Sequence, residues 1–271
     1  MSGLEDWIGR SRTQEDEITR PALRRIASML DRRDVFAPGD PIPAHWYAMF
    51  FPEIARQSQL GPDGHPARGD FLPPVALPRR MFAGRRVRFV SPLAAGDVAT
   101  KTSTIAAITP KTGRSGQMVF VTIRHAISVG ARVAIEEEQD VVYREPPAPG
   151  AAPPAATAAP EGATWRGSYL PTTTLLFRYS ALTWNGHRIH YDADYTRGEE
   201  GYPGLVVNGG LTLLMLLEAA IAANGASPRQ IAVRNVSPLI AGAAVTLAGD
   251  GSRAWAASAA GALSVSAELS F

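Results

Sequence analysis

Residues 179–192 read YSALTWNGHRIHYD, the densest cluster of chemically able side chains in a chain rich in Ala, Leu, Pro and Gly. His187 and His190 ordinarily titrate near about 6.5, so either can take up and return a proton around neutral pH. Asn185 cannot act as a base, but its amide can hold a water by accepting and donating hydrogen bonds. Three arrangements fit these residues: a catalytic loop, a metal site built from His187, His190 and Asp192, or a polar turn on the Asn185-Gly186 dipeptide. Asp192 and Asp194 read as helix-end or supporting residues rather than bases. Tyr179 reads mainly as packing and stays among the substrate-facing candidates.

Two further stretches carry chemistry. Asn208-Gly209-Gly210 opens a long apolar run; Asn208 is a favourable N-cap, and the glycines leave backbone N–H groups bare at a helix end bearing roughly half a positive charge. The stretch PRRMFAGRRVRF places Arg79, Arg80, Arg85, Arg86 and Arg88 close together, and Arg178 and Arg188 flank the histidine cluster. Strand alternation puts Arg86 and Arg88 on one face. As a set the arginines favour an anionic ligand; a solvated sheet face is the alternative for each alone.

Composition bounds what these residues can serve. The chain has 271 residues, 45% of them hydrophobic, and a net charge of +2, so it can bury a sizeable core and offers no global case for nucleic acid. With no cysteine it has no disulfide, thiolate metal site or cysteine nucleophile, which fits a reducing compartment. The opening MSGLEDWIGR is not a secretory signal, and the cytoplasm is the expected location. The run GLVVNGGLTLLMLLEAAIAANG is nearly long enough to span a bilayer. It contains Asn208, Gly209, Gly210 and Glu218 and lacks flanking Lys or Arg, so it reads as a buried core helix.

The Pro/Ala/Gly run PPAPGAAPPAATAAP reads as a linker over 146–163, separating an N-terminal domain, 1–145, from a C-terminal domain, 164–271. The first opens with a helical pattern in which Ile18, Leu23, Ile26 and Leu30 recur and Pro21 falls in the first turn. Four alternating runs follow: MFAGRRVRFVSPL, DVATKTSTIAAITPK, GQMVFVTIRHAISV and RVAIEEEQDVVYRE. In the second half TLLFRYSAL reads as a strand, followed by the histidine cluster, a helix from about Leu211, and four short strands. The phrase RFVSPLAAGD (88–97) is echoed by RNVSPLIAGA (234–243), which argues for duplication of one unit. That unit is a helix laid on a curled antiparallel sheet, an α+β architecture.

This layout, with FRYSALTWNGHRIHYD ahead of YPGLVV and a long apolar helix, resembles the MaoC-like double hot-dog hydratases. The nearer match is the branch of mesaconyl-C4-CoA and itaconyl-CoA hydratases and type 2 3-hydroxyacyl-thioester dehydratases. SQLGPDGHPARGDFLPP and GRSGQMVFVTIRH support it. Leu182 to His190 fall on the family pattern Leu-Ser-Gly-Asp-x-Asn-Pro-x-His. The resemblance puts His190 at the catalytic histidine and Asn185 where the wider group has its catalytic aspartate. At 208–210 the family usually has His-Gly-Pro or His-Gly-Met; this chain keeps Gly209.

The resemblance implies hydration of an enoyl-CoA, or the reverse, with His190 as the single base and Asn185 positioning water. Gly209 and its neighbours would polarise the thioester oxygen, where losing one donor typically costs about 2.7–4 kcal/mol. Asn208 would preserve the helix cap. Arg188 is the first choice for a substrate carboxylate or phosphate, with His187, Gly210, Tyr179, Arg80 and Arg86 as further binding candidates. No metal and no cofactor beyond the coenzyme A of the substrate is expected, nor a nucleic-acid or membrane partner; a homodimer is open. The first half would be a degenerate copy shaping the groove. A short dicarboxylic acyl-CoA is the expected substrate, mesaconyl-C4-CoA or itaconyl-CoA giving citramalyl-CoA. A 3-hydroxyacyl-thioester dehydratase of fatty-acid synthesis, a thioesterase and a non-catalytic acyl-thioester-binding protein are the rivals.

Overall fold

The computed structural model describes residues 3–66, 71–113, 116–145 and 155–271. The alternating runs of the first half form β2 (Arg79–Phe89), β3 (Val98–Gly113), β4 (Gly116–Val129) and β5 (Arg132–Arg144), preceded by β1 (Ser11–Glu17) and α1 (Arg20–Met29). Thr19 caps α1 by accepting from the Ala22 N–H, and Pro21 lies in the first turn. Ile18, just outside the helix, and Leu23 are both fully buried at the spacing of a hydrophobic staple. The second half contains β6 (Trp165–Tyr169), α2 (Thr173–Thr183), α3 (Ala193–Gly198), α4 (Gly209–Asn224), β7 (Gln230–Asn235), β8 (Val245–Gly249), β9 (Arg253–Ala257) and β10 (Leu263–Ser270).

Among the described residues these strands make one ten-stranded antiparallel sheet in the order β1-β3-β4-β5-β2-β7-β10-β9-β8-β6. The order is a palindrome if β1 corresponds to β6, β2 to β7, β3 to β8, β4 to β9 and β5 to β10. The duplication expected from the echoed phrase is therefore built into the topology. Its axis can be located: Arg88 and Arg234 are counterparts in that phrase, and the β2–β7 ladder pairs Arg88 with Gln230 and Gly84 with Arg234, centring on the Arg86–Ala232 pair. The correspondence extends to single bonds. Pro41 bridges Ala94 as Val206 bridges Ile240, and the Ile42 N–H donates to the Leu93 carbonyl as the Val207 N–H does to Leu239.

Two sequence expectations need correction. TLLFRYSAL is helix α2, not a strand: Thr172 accepts from the Leu175 N–H, and the buried residues Leu176, Tyr179 and Ser180 follow helical spacing. It is this helix, not α4, that corresponds to α1. The counterpart of α4 in the first half is only a short 3-10 helix, Ala44–Met49. The first copy thus lacks the long central helix, and one apolar core made of side chains from both halves fills the interior. Of the Pro/Ala-rich segment, residues 146–154 lie outside the described residues; beyond them Ala158 bridges Ala262 and the Ala159 N–H donates to Gly261, so the segment's end lies along the second half. Among the described residues no helix is long and apolar enough to cross a membrane.

The two copies are pinned where α4 meets its shortened counterpart. The Glu218 carboxylate on α4 accepts from His45 Nε2 at 2.8 Å, Trp46 Nε1 at 2.7 Å and Arg32 Nη1 at 2.8 Å. Burial alone would raise the Glu218 pKa, but these donors override it and bring it down to about 2. Replacing Glu218 by Ala is expected to lower the unfolding free energy by about 3 kcal/mol, measured by urea denaturation, because it orphans the buried His45 and Trp46 donors, while partly exposed Arg32 keeps Asp34. A depressed carboxylate pKa contributes stability fully above its ordinary value of 4.5 and loses that contribution as pH falls towards 2. The variant should therefore differ most from the parent above pH 4.5, the two converging in acid.

Candidate active site

At the end of α2, Trp184 adopts a left-handed conformation (φ 54°) and the Asn185 N–H donates back to the Ser180 carbonyl at 2.8 Å. The chain then turns sharply, the Asn185 side-chain oxygen accepting from the His187 N–H at 3.0 Å. A single 3-10 turn, Arg188–His190, carries the second histidine inward. His190 is 7% exposed, and its Nδ1 lies 2.7 Å from the Val206 carbonyl. A carbonyl only accepts, so Nδ1 bears the proton and Nε2 of the neutral ring is left as a proton acceptor. Burial brings the His190 pKa down to about 4, which keeps it neutral at physiological pH.

Val206 belongs to the extended segment that leads into α4, so the residue orienting His190 also sets the start of that helix. Asn208 occupies the N-cap position, but its side chain does not cap: its nitrogen reaches the Ser180 hydroxyl at 3.5 Å and its oxygen is buried without a partner among the described residues. This corrects the expectation that Asn208 caps α4. It leaves the first-turn N–H groups, which have no carbonyl four residues back, available to a ligand. A Cβ at Gly209 would make only ordinary contact with Asn235, whereas at Gly210 it would collide with the hydroxyl of buried Tyr179. Glycine at 210 is thus needed for helix and tyrosine to pack together.

His190, Asn185, Gly209, Gly210, Tyr179 and Arg188 all border one cleft of about 1460 Å³. The expected residues separate on it. Arg188 points along the surface: it pairs with Asp192 at 2.8 Å, donates to the Pro62 carbonyl at 3.0 Å and lies 4.0 Å over the Tyr195 ring. Arg86 lies outside the cleft lining and pairs with Glu138 at 3.1 Å and Asp140 at 2.8 Å. Arg80, in β2, does not line the cleft, but its charge reaches His187. Burial, then the neighbouring His65 and His190, lower the His187 pKa to about 3.

His65 is the residue sequence reasoning left out. The first-half loop 61–66 folds over the turn 185–190: the Arg188 N–H donates to the Asp63 carbonyl at 2.9 Å, and Gly64 (φ 85°) sits so close to the Gly186 carbonyl that a Cβ would collide with it. This brings the His65 ring to 4.1 Å from His187, which is itself 5.5 Å from His190. His65 Nδ1 lies 3.2 Å from the Asp63 carboxylate. Asp63, His65 and His187 offer atoms within 4.8 Å of one another, the composition of a small metal-binding set. The set His187, His190 and Asp192 weighed from sequence does not gather: His190 Nδ1 is held by Val206, and Asp192 caps α3 while pairing with Arg188. The Asp-Gly-His-Pro sequence, a tight turn with an acid beside an imidazole, was the available signal for the loop.

Residues 44–241 match the family described as hydroxyacyl-thioester dehydratase type 2. The mesaconyl-C(4)-CoA hydratase of Chloroflexus aurantiacus is 46% identical over 215 residues, spanning 79% of this chain and 77% of that protein. Among solved structures, a MaoC-like dehydratase from Phytophthora capsici aligns with a TM-score of 0.69 at 13% identity, over 99% of this chain and 97% of that one. A Mycobacterium tuberculosis protein with a double hotdog fold aligns at 0.61 and 15% identity, over 97% and 96%. With both copies of the helix-on-sheet unit in one sheet and the family match covering most of its length, the chain belongs to the type 2 hydroxyacyl-thioester dehydratases and carries the double hot-dog fold.

Proposed function

We propose that the chain is a hydro-lyase that reversibly adds water across the double bond of a short dicarboxylic α,β-unsaturated acyl-CoA, with mesaconyl-C4-CoA the first candidate. The observation that carries it is the pairing of a buried neutral histidine, His190, with the uncapped start of α4 on one cleft. In hydration, His190 Nε2 accepts a proton from water as its oxygen bonds to the β-carbon. The electron pair of the double bond moves towards the thioester oxygen, where the N–H groups of Gly209 and Gly210 meet the developing charge. Asn185 spends its oxygen on the turn and keeps its amide N–H groups to hold the water. His190 then returns the proton to the α-carbon, so one base serves both transfers.

The identity to a mesaconyl-C(4)-CoA hydratase supports this substrate class. Phe177 and Trp184, exposed on the rim, offer apolar faces to the pantetheine arm or adenine of coenzyme A. The family description favours a second reading, dehydration of a 3-hydroxyacyl thioester, which is the same chemistry run backwards at the same site. The reading takes no cofactor beyond the substrate's own coenzyme A. It keeps the cytoplasm as location and a homodimer as assembly, neither of which the site requires. Purified protein mixed with mesaconyl-C4-CoA is expected to bleach the enoyl-thioester absorbance without releasing thiol, at a rate that EDTA leaves unchanged. Thiol release would identify a thioesterase, binding without bleaching a carrier, and a loss of rate reversed by divalent metal would assign the Asp63–His65–His187 set to an ion.

A further inference from the structure

Along β2 the side chains alternate across the sheet. Arg86 and Arg88 are exposed and pair with Glu138, Asp140 and Glu136, while Arg85 and Val87 turn towards the interior. Arg85 is next to the axis relating the two copies and borders the cleft that His190 borders. Its counterpart across the axis is Ile231, so the chain carries a buried cation where its other copy has an apolar residue. Only 16% of the Arg85 side chain is exposed, and a charge so far out of water is costly unless something anionic meets it.

Glu137 supplies part of that. It lies 3.3 Å from Arg85 Nη1 and accepts from the Tyr47 hydroxyl at 2.8 Å. Lys101 is mostly buried in the same group, and His125 is held neutral there because burial lowers its pKa to about 4. Among the described residues two cations therefore face one carboxylate, a surplus of one positive charge, and Arg85 Nε is buried with no hydrogen-bond partner among them. The Arg85 charge is felt at Tyr179, whose hydroxyl abuts Gly210 at the start of α4. The cation thus sits beside the place assigned to the thioester.

We infer that Arg85 forms a carboxylate subsite in the cleft, receiving the free carboxylate of a dicarboxylic acyl thioester whose carbonyl lies at the start of α4. This rests on the hydratase reading and names its substrate class. In mesaconyl-C4-CoA the free carboxylate is attached to the carbon that takes the water, so its partner must stand near the reacting atoms, deep in the cleft. Arg188 is engaged with Asp192, Pro62 and Tyr195, and Arg86 is outside the lining. Arg144 also borders the cleft with a buried Nε that has no partner among the described residues, but it is the Arg85 charge that reaches Tyr179, beside Gly210, and its planar guanidinium suits a carboxylate.

The test compares a charged with an uncharged acyl group. In Arg85→Gln, the ratio of kcat/KM for mesaconyl-C4-CoA to that for crotonyl-CoA is expected to fall by about 100-fold. Since the single variant leaves Glu137 buried without its nearest cation, Arg85→Gln/Glu137→Gln removes the pair together and is expected to show the same fall. Calorimetric binding of succinyl-CoA and butyryl-CoA gives a reading independent of turnover: the parent should prefer succinyl-CoA, and both variants should lose the preference. An unaltered ratio in both variants, or a parent indifferent to the acyl carboxylate, overturns the subsite. A parent that selects succinyl-CoA yet hydrates no enoyl thioester keeps the subsite and overturns the hydratase reading.

Discussion

Replacing His190 by Ala is expected to lower kcat/KM by about 10²–10⁴-fold, the usual worth of a positioned general base, while leaving the unfolding transition close to that of the parent. The expectation follows from its single polar tether: Nδ1 is spent on Val206, so the reactive nitrogen is the one free to meet water. Circular dichroism and a steady-state assay on the same preparation would separate chemistry from folding, and a variant that keeps parental kcat/KM would remove His190 from the mechanism. The pH profile adds a second reading. Because burial brings the His190 pKa down to about 4, its proton-accepting form persists from neutral pH down to that value. The acid limb of kcat/KM should therefore lie near pH 4, falling about tenfold per unit below it. A limb near the ordinary histidine value would mean that the free protein hydrates this imidazole.

Gly64→Ala is expected to lower kcat/KM by about 10–100-fold although residue 64 belongs to the other copy of the fold. A Cβ there collides with the Gly186 carbonyl and must also tolerate φ 85°, a conformation that strains a non-glycine residue by roughly 1–3 kcal/mol. Relief requires loop 61–66 to lift from the turn that carries His190, and a displacement of about 1 Å near reacting groups can lower a rate 100-fold. The melting temperature should fall by only a few degrees, since no side chain of the main core is touched. Steady-state kinetics beside a thermal melt decide it: parental kcat/KM would show that the loop is only a cover.

Much of the architecture was readable from pattern. Alternation along β2 and β4 made the sheet legible, because each has one face more buried than the other, whereas β8 and β9 are buried on both. The edge strands β1 and β6 escaped notice: Ser-Arg-Thr-Gln-Glu-Asp-Glu and Trp-Arg-Gly-Ser-Tyr have little or no apolar alternation, and their places depend on ladders to β3 and β8. Helix α2 was misread because threonines and leucines suit strands, while the signal that decides it, burial of Leu176, Tyr179 and Ser180, depends on a partner surface.

The site divides in the same way. His190 and Asn185 lie five residues apart and were legible together, whereas His65 reaches them only through a contact between distant parts of the chain. A period of two puts Arg86 and Arg88 together but cannot say which face is inside. The interior arginine of this strand is Arg85, one residue before Arg86 and so on the opposite face.

The palindromic sheet has a consequence for how such a chain can diverge. Two identical subunits meeting across a twofold must make every change twice, and any loss in one is a loss in both. Here the copies are joined, so the first could reduce its central helix to the six-residue turn Ala44–Met49 while the second kept the sixteen residues of Gly209–Asn224. The missing turns of helix correspond to room beside the retained one, where the cleft admits Met49, Phe50 and Phe51 of the shortened copy. Joining the copies in one chain permits this asymmetry, and it lets a cation such as Arg85 be buried once where a symmetric pair would have to bury it in duplicate.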